Sequence, residues 1–425
     1  VRSGVDAVDF RTILAPIGLI MVAMAFAMLP PVLVDLAAQN SDWQVFLASG
    51  LTSGTLGFAL ILAFRTDDVM LTRREAIMFV VMVWVVAAFV GGLPFYFSGL
   101  PISFAESYFE AMSGLTTTGA TTIAGLDTMP PGILLWRSTL HWIGGIGIIV
   151  LSIFILPFLS VGGQQLFALE SSDKSDKPFA RFRDYASRLL QLYVFLSLLC
   201  ALTYMLLGMT PFEGINHAMA TISTGGFSTS DGSMGHFASE PILWAASFFM
   251  LLGGLPFVAM LKVLSRQRGE IDRQVIYYVT TIIVAGFGIA ILLRMTGTES
   301  NYSLLATSFF HVISIITTTG FAAEDYLTWP SAALVAIFFI TFLGGCSGST
   351  SGGLKFFRIY LITHSLKTEL MQALYPNAVI PVRYGSRRLD QGVFRGALFF
   401  LAAYLLCFII GSLLLALTGV DLVTA

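Results

Sequence analysis

Long apolar runs separated by short polar segments dominate the chain. Crossing a bilayer takes roughly 20 mostly apolar residues. Runs of that kind fall at 12–34, 45–64, 76–97, 133–160, 189–207, 241–261, 275–293, 331–362 and 393–417. The pattern predicts nine spans, the eighth interrupted by a Gly-rich stretch. Three shorter, half-apolar segments lie between spans, at 104–115, 215–222 and 304–316. They are too short to cross and fit segments that dip into a membrane and return.

Composition agrees with that pattern. Of 425 residues, 56% are hydrophobic and 11% charged, where a soluble chain carries about 25% charged residues. The mean hydropathy is +0.83. Soluble, disordered, collagen-like, coiled-coil and secreted disulfide-scaffold classes are excluded. The net charge of -2 gives no global bias toward nucleic acid. Cys200, Cys346 and Cys407 show no zinc or redox spacing and read as buried small hydrophobes.

Where the charges fall gives a direction. With the inter-span loops assigned alternately, 21 of the 23 Lys and Arg residues lie on the N-terminal side, and only Arg137 and Arg294 lie opposite. The positive-inside rule then predicts a cytoplasmic N-terminus. The outer side carries Asp35, Asp42, Glu106, Glu110, Asp127, Glu213, Asp231, Glu240, Glu299, Glu324, Asp325 and Asp421. Most of these acids flank the dipping segments. That placement predicts a field that concentrates cations there.

The chain also repeats. Each unit reads span, dipping helix, Thr/Ser-Gly turn, span. The turns are TTTGAT (116–121), STGGFS (223–228) and TTTGFA (317–322), aligned on Gly119, Gly225 and Gly320. A Gly-Gly pair follows each turn, at Gly144-Gly145, Gly253-Gly254 and Gly344-Gly345. A cation leaving water must recover its hydration from protein oxygens, and an unusually turned backbone can present carbonyls for this. Glycine adopts such turns without a Cβ clash. Non-helical backbone at membrane depth is tolerated only where it lines a wet path or is buried in protein. Three such turns, each after a dipping helix and before a span, predict an oxygen-lined cation path.

These residues carry a resemblance. TTTGAT, STGGFS, TTTGFA, HWIGGIG (141–147) and GGCSGSTSGGLK (344–355) resemble the Trk/Ktr/HKT potassium transporter superfamily, in particular the bacterial Trk-type uptake membrane subunit. The resemblance covers essentially the whole chain. It implies an all-α polytopic membrane protein, with two leading helices and repeated span–pore helix–filter–span units around a central pore. The units map to 1–74 (leading pair), 75–170, 171–268 and 269–366 (pore repeats one to three), and 367–425 (a linker and the start of a fourth repeat). Because the family carries four units, the resemblance implies that the sequence is C-terminally incomplete.

The resemblance also assigns roles. It gives Thr117, Thr118, Gly119, Ser223, Thr224, Gly225, Thr318, Thr319 and Gly320 as the potassium-binding filter, with glycine at each aligned position implying potassium preference. It makes Gly344, Gly345, Cys346, Ser347, Gly348, Ser349, Thr350, Ser351, Gly352 and Gly353 an intramembrane gate loop. The residue types are compatible, since five glycines in ten positions should break a helix. Lys355 is either a cytoplasmic anchor or a group that projects toward the path. The ion K+ is implied with no organic cofactor, in the bacterial inner membrane. A homodimer and a cytoplasmic nucleotide-binding regulatory subunit (TrkA-like) are the implied partners.

Other residues remain. Glu110, Asn216 and His311 lie in the dipping helices, nine positions before the aligned glycines, and read as struts for the filters or as interfacial polar groups. Arg137 and Arg294 read as snorkelling residues. His141, His217, His236 and His364 show no metal spacing. The polar segment 171–187 and the stretch 367–390, with Arg383, Arg387 and Arg388, suit either a regulatory partner or anionic lipid. No enzyme motif is present. An ion-coupled secondary transporter of K+ or Na+ is the alternative reading. It is disfavoured because no span carries a clear midplane carboxylate.

Overall fold

The computed structural model describes residues 10–65, 72–159, 178–265, 272–377, 383–384, 387–388 and 391–420. Of the charges used above, Arg2, Lys174, Lys177, Arg266, Arg268 and Asp421 lie outside these residues, as do 171–177, 378–382, 385–386 and 389–390 of the two polar segments.

Two runs precede the first unit. The first run is α1 (Arg11–Ala27) and α2 (Leu29–Ala37), and the second is α3 (Trp43–Ala63). The step between α1 and α2 falls where Pro30 and Pro31 enter the first turn of α2, because proline cannot donate to the preceding turn.

Unit one is α4 (Arg73–Phe97), α5 (Phe104–Leu115) and α6 (Pro131–Leu159). Unit two is α7 (Pro178–Leu206), α8 (Pro211–Ile222), α9 (Glu240–Gly253) and α10 (Phe257–Leu264). Unit three is α11 (Arg273–Met295), α12 (Leu304–Ile316), α13 (Ser331–Thr341) and α14 (Phe356–Leu374). A short antiparallel hairpin, β1 (Arg383–Tyr384) with β2 (Arg387–Arg388), leads into α15 (Gln391–Ala416).

The dipping helices α5, α8 and α12 have 12, 12 and 13 residues. At 1.5 Å rise they reach roughly 18–20 Å, short of the ~30 Å hydrocarbon core. Their N-termini are capped. Ser103 with Glu106 and Thr210 with Glu213 form capping boxes, and the Ser303 hydroxyl accepts from the Ala306 amide. The second dipping helix begins four residues before the apolar run. Its first turn, Pro-Phe-Glu-Gly, is polar, and the signal for its start is the cap rather than hydropathy.

Packing sets the order of the units. The first span of each unit packs on its own half-helix: α4 on α5, α7 on α8, α11 on α12. Each half-helix also packs on the following span, and α6 and α9 reach on to the half-helix of the next unit. The units therefore follow one another around a common axis. The core forms two main clusters, one joining the leading helices to unit one and one running through units two and three.

Two spans depart from straight helices. The run 241–261 was expected to be a single span, but α9 and α10 meet at 96°. The break lies at Gly254, Leu255 and Pro256, where proline removes a helical donor. The eighth run is interrupted over 342–355, as its glycines require. Leu343 and Leu354 close that excursion in a parallel bridge. Cys200 and Cys346 are buried, whereas Cys407 is exposed on α15, contrary to the expectation of burial.

Candidate functional site: three turns over a glycine-rich loop

Each half-helix ends in the same backbone signature. The amides of Thr118, Gly225 and Thr319 reach back to the carbonyls of Ser113, Ala220 and Ser314, and those of Thr117, Thr224 and Thr318 to Gly114, Thr221 and Ile315. This is a Schellman cap. Its left-handed residue is a threonine all three times, with φ of 53°, 54° and 56° at Thr117, Thr224 and Thr318. A β-branched residue in that region is a backbone outlier, and the left-handed conformation costs roughly 1–2 kcal/mol. Two residues further on, Gly119, Gly226 and Gly320 are also left-handed, at 78°, 86° and 82°.

These angles correct the alignment of the second turn. The equivalent of Gly119 and Gly320 is Gly226 rather than Gly225. Thr118, Gly225 and Thr319 are therefore equivalent, and Ser223 matches Thr116 and Thr317. Position 225 is glycine for a different reason, since a Cβ there would overlap the His141 ring. The same shift moves the strut of unit two from Asn216 to His217. Asn216 instead donates to the Phe212 carbonyl at 2.7 Å within its own helix, and its carbonyl oxygen has no partner.

The turns meet one another. A Cβ on Gly119 would overlap the carbonyl oxygen of Gly225, and one on Gly226 would overlap that of Thr319. Each turn glycine thus sits against the carbonyl that precedes the glycine of the next unit. The corresponding point on Gly320 has no heavy atom within 4 Å. The turns form an arc of backbone carbonyls at the C-terminal ends of three half-helices. Those ends carry the negative pole of the helix dipole, which favours a cation.

Behind the arc, Glu110, His217 and His311 occupy matching positions. Glu110 accepts from the Thr122 amide at 3.0 Å and the Thr121 hydroxyl at 2.8 Å. His217 donates from Nδ1 to the Glu213 carbonyl (2.9 Å), and its Nε2 accepts from the Ser228 hydroxyl (3.0 Å). His311 donates to the Thr307 carbonyl (2.8 Å), and its Nε2 accepts from the Ala323 amide (3.3 Å).

Arg137 does not snorkel. It is 1% exposed and forms a 2.8 Å ion pair with the fully buried Glu110. Its guanidinium also donates to the Ser228 carbonyl at 3.1 Å and the Thr121 hydroxyl at 3.0 Å. Removing one member of such a pair costs roughly 3–5 kcal/mol, because the other charge is left uncompensated. Arg294 is exposed.

The acids assigned to the outer side are accordingly less free than the sequence suggested. Glu110 and Asp35 are buried, Asp35 accepting from the Gly132 amide at 2.7 Å. Glu106 and Glu213 cap helices. Asp231 accepts from the amides of Gly125 and Leu126, both at 3.1 Å. Glu240 binds Ser303 across the unit boundary.

The Gly-Gly pairs let the second spans close on the arc. Gly144 faces the last carbonyl of α5, and Gly253 faces that of α8 (a Cβ would lie 3.1 Å from Ile222 O). Sequence reasoning missed two tyrosines that lock this contact. Tyr193 donates to the Trp142 carbonyl at 3.1 Å and Tyr278 to the Leu251 carbonyl at 3.2 Å, each three residues before the second glycine of a pair. The recurrence of that offset becomes readable only once the first spans are aligned on the glycine pairs.

The stretch 344–353 lies directly against the turns. Thr224 donates its hydroxyl to Thr350 (3.2 Å), and the Gly352 amide donates to the Thr318 hydroxyl (2.7 Å). In the first bond the donor, and in the second the acceptor, is a left-handed threonine. The broken span of unit two supplies further anchors. Carbonyls of Gly254 and Gly253 accept from the amides of Cys346 (2.8 Å) and Thr350 (3.3 Å), and the freed amide of Phe257 donates to Gly348 (3.0 Å). Lys355 folds back and donates to Ser349 Oγ at 3.3 Å and to the carbonyl of Ser351.

A second chain of contacts runs from the loop toward the β1–β2 hairpin. The Ser347 amide donates to Gln274 Oε1 (2.9 Å), and Gln274 Nε2 donates to Asp272 (2.8 Å). The Tyr384 hydroxyl donates to the same carboxylate. Tyr384 packs on Phe357 and Tyr360, with ring centroids 5.1 and 5.0 Å away. No side-chain placement is described for Arg383, Arg387 and Arg388.

Apolar spans, three capped half-helices and a shared arc of carbonyls define a multi-pass membrane protein that handles cations. The family model TrkH, described as a cation transport protein, matches residues 43–424, and the chain belongs to that family. It is 37% identical over 424 residues to the Trk system potassium uptake protein TrkI of Halomonas elongata, covering 97% of this chain and 84% of that protein. It is 37% identical over 421 residues to the Trk system potassium uptake protein TrkH of Escherichia coli K12, covering 97% and 87%. The crystal structure of the potassium transporter TrkH from Vibrio parahaemolyticus superposes with a TM-score of 0.89 at 33% identity, over 97% of this chain and 87% of that one.

Proposed function

We propose that this chain conducts potassium across the bacterial inner membrane. The carbonyl arc carries the reading: the turns of Gly119, Gly226 and Gly320 place backbone oxygens at the C-terminal poles of three half-helices. A cation sheds water against Thr117, Thr118 and Gly119, Thr224, Gly225 and Gly226, and Thr318, Thr319 and Gly320. The potassium uptake proteins among its relatives favour K+ as that cation. The buried carboxylate Glu110 is taken up by Arg137, Thr121 and Thr122 and braces the first turn, which weakens the coupled-transporter alternative.

The loop 344–353 is the gate. It is composed of small residues and hydrogen-bonded to Thr224 and Thr318, so it closes the path beneath the turns, and breaking those bonds lets it retract. Its link through Gln274 and Asp272 to Tyr384 gives a cytoplasmic partner a handle on the gate. In this reading the N-terminus is cytoplasmic, the protein is a homodimer, and a nucleotide-binding regulatory subunit docks at the face that carries the hairpin.

The test is uptake in a bacterial host deleted for its own membrane potassium-uptake subunits but retaining their cytoplasmic regulatory partner. Growth at limiting potassium and rubidium uptake above the empty-vector level are expected. Membrane-inserted protein that restores neither would refute the proposal.

A further inference from the structure

We propose that Arg137 and His141 clamp Phe227 and thereby set the ion selectivity of the second turn. This inference rests on the conducting role proposed above. Both residues sit on α6, four positions apart and so on one helix face. The Phe227 ring lies between them. The Arg137 guanidinium stands 4.0 Å from its centroid, and the His141 ring stacks at 4.0 Å and 23°.

The clamp grips backbone as well as ring. His141 Nε2 accepts from the Phe227 amide at 3.1 Å, and Arg137 Nη1 donates to the next carbonyl, that of Ser228, at 3.1 Å. Because Nε2 accepts, Nδ1 carries the proton and donates to the Gly114 carbonyl at 2.7 Å. Arg137 is anchored at the same time by Glu110 and Thr121. The half-helix of unit one and the strand leaving turn two are thus pinned to one rigid helix.

Arg137 and His141 have no like residues at the matching positions of units two and three, where, among the described residues, the equivalent ring Phe321 meets only the tilted His217 ring at 6.0 Å. Counted from the Gly-Gly pairs, the positions of Arg137 and His141 are occupied by Ala246 and Met250, then by Ile337 and Thr341. The strand leaving turn three is held across the unit boundary by neutral contacts, Gly235 N to Ala322 O and Ala322 N to Ser233 Oγ, both 3.2 Å. Charge-assisted hydrogen bonds and a desolvated cation–π contact fix position more firmly than neutral bonds.

What the clamp fixes is the spacing of ion-facing carbonyls. His141 stands against Gly225, and the Gly225 carbonyl stands against Gly119. Phe227 follows the turn directly. Discrimination between potassium and sodium depends on the size of the oxygen cage and on the number and stiffness of its carbonyl dipoles. With the clamp released, turn two relaxes around the smaller ion. Arg137 and His141 are positioning residues, since neither touches the ion.

The experiment compares K+ and Na+ uptake by wild-type protein, Arg137→Lys and Phe227→Leu in proteoliposomes, with thermal unfolding measured in parallel. Arg137→Lys keeps the charge facing Glu110 but loses the fork that reaches Ser228. Phe227→Leu removes the ring and leaves the ion pair untouched. The sodium-to-potassium uptake ratio is expected to rise roughly fivefold or more in either variant, the equivalent of losing about one hydrogen bond of discrimination. Folded variants that keep the wild-type ratio, whether uptake is unchanged or lowered for both ions alike, would overturn the clamp. Wild-type protein that carries neither ion would instead overturn the conducting role, and the clamp with it.

Discussion

Gly226→Ala is expected to abolish potassium uptake while the protein still inserts and folds. Gly226 is left-handed at φ 86°, and a Cβ there would overlap the Thr319 carbonyl oxygen. The first effect costs roughly 1–2 kcal/mol. The second forces that carbonyl out of the arc, which changes the cage itself. Each 1.4 kcal/mol added to a transfer barrier slows it about tenfold, so a loss of at least about 100-fold is expected. Gly208→Ala is the control. Gly208 has φ 112° but no heavy atom within 4 Å of the Cβ position, so it carries the backbone strain without the collision. Rubidium uptake, normalised to membrane-inserted protein, should be near wild type for Gly208→Ala and at background for Gly226→Ala.

Deleting residues 347–351 is expected to raise potassium flux, on the order of tenfold. The deletion removes Thr350, whose hydroxyl lies 3.1 Å from both the Ile222 and Gly253 carbonyls and accepts from Thr224. It also removes Ser347, which links the loop to Gln274, and Ser349 and Ser351, which hold Lys355. Each lost hydrogen bond contributes about 1 kcal/mol to the closed arrangement, so several together amount to a tenfold or larger shift in gate population. Thr350→Val removes only the hydroxyl's contacts with Thr224, Ile222 and Gly253 and should raise flux by a smaller factor. Potassium efflux from proteoliposomes measures both. Unchanged efflux in both variants would take the loop out of the ion path.

Much of this was readable from the sequence, for identifiable reasons. Spans are legible because the bilayer imposes a length, and half-helices because twelve apolar residues cannot satisfy it. The interruption at 344–353 is legible because five glycines cannot hold a helix. The break at Pro256 was lost because apolarity runs unbroken across Gly253, Gly254, Leu255 and Pro256, and hydropathy does not distinguish a bent span from a straight one. The turn of unit two was misregistered by one residue because STGGFS offers two adjacent glycines, and only the backbone angles separate Gly226 from Gly225. That slip hid His217 behind Asn216.

Arg137 was misread for a different reason. A cation near the outer end of a span is ordinarily a snorkelling residue. Its partner Glu110 is 27 positions away on another helix. Nothing local in the sequence announces the pair, because only the packing of α5 on α6 brings the two charges together and excludes water from them.

The most direct test of potassium conduction is the reversal potential of the wild-type protein in a planar bilayer. A tenfold potassium gradient would be opposed by an equal and opposite sodium gradient, with pH set alike or unlike on the two sides. A reversal potential approaching the potassium equilibrium value, about 59 mV in magnitude for a monovalent ion, and insensitive to the pH difference, is expected. A value near zero, one that follows sodium, or one that moves with the proton gradient would contradict it.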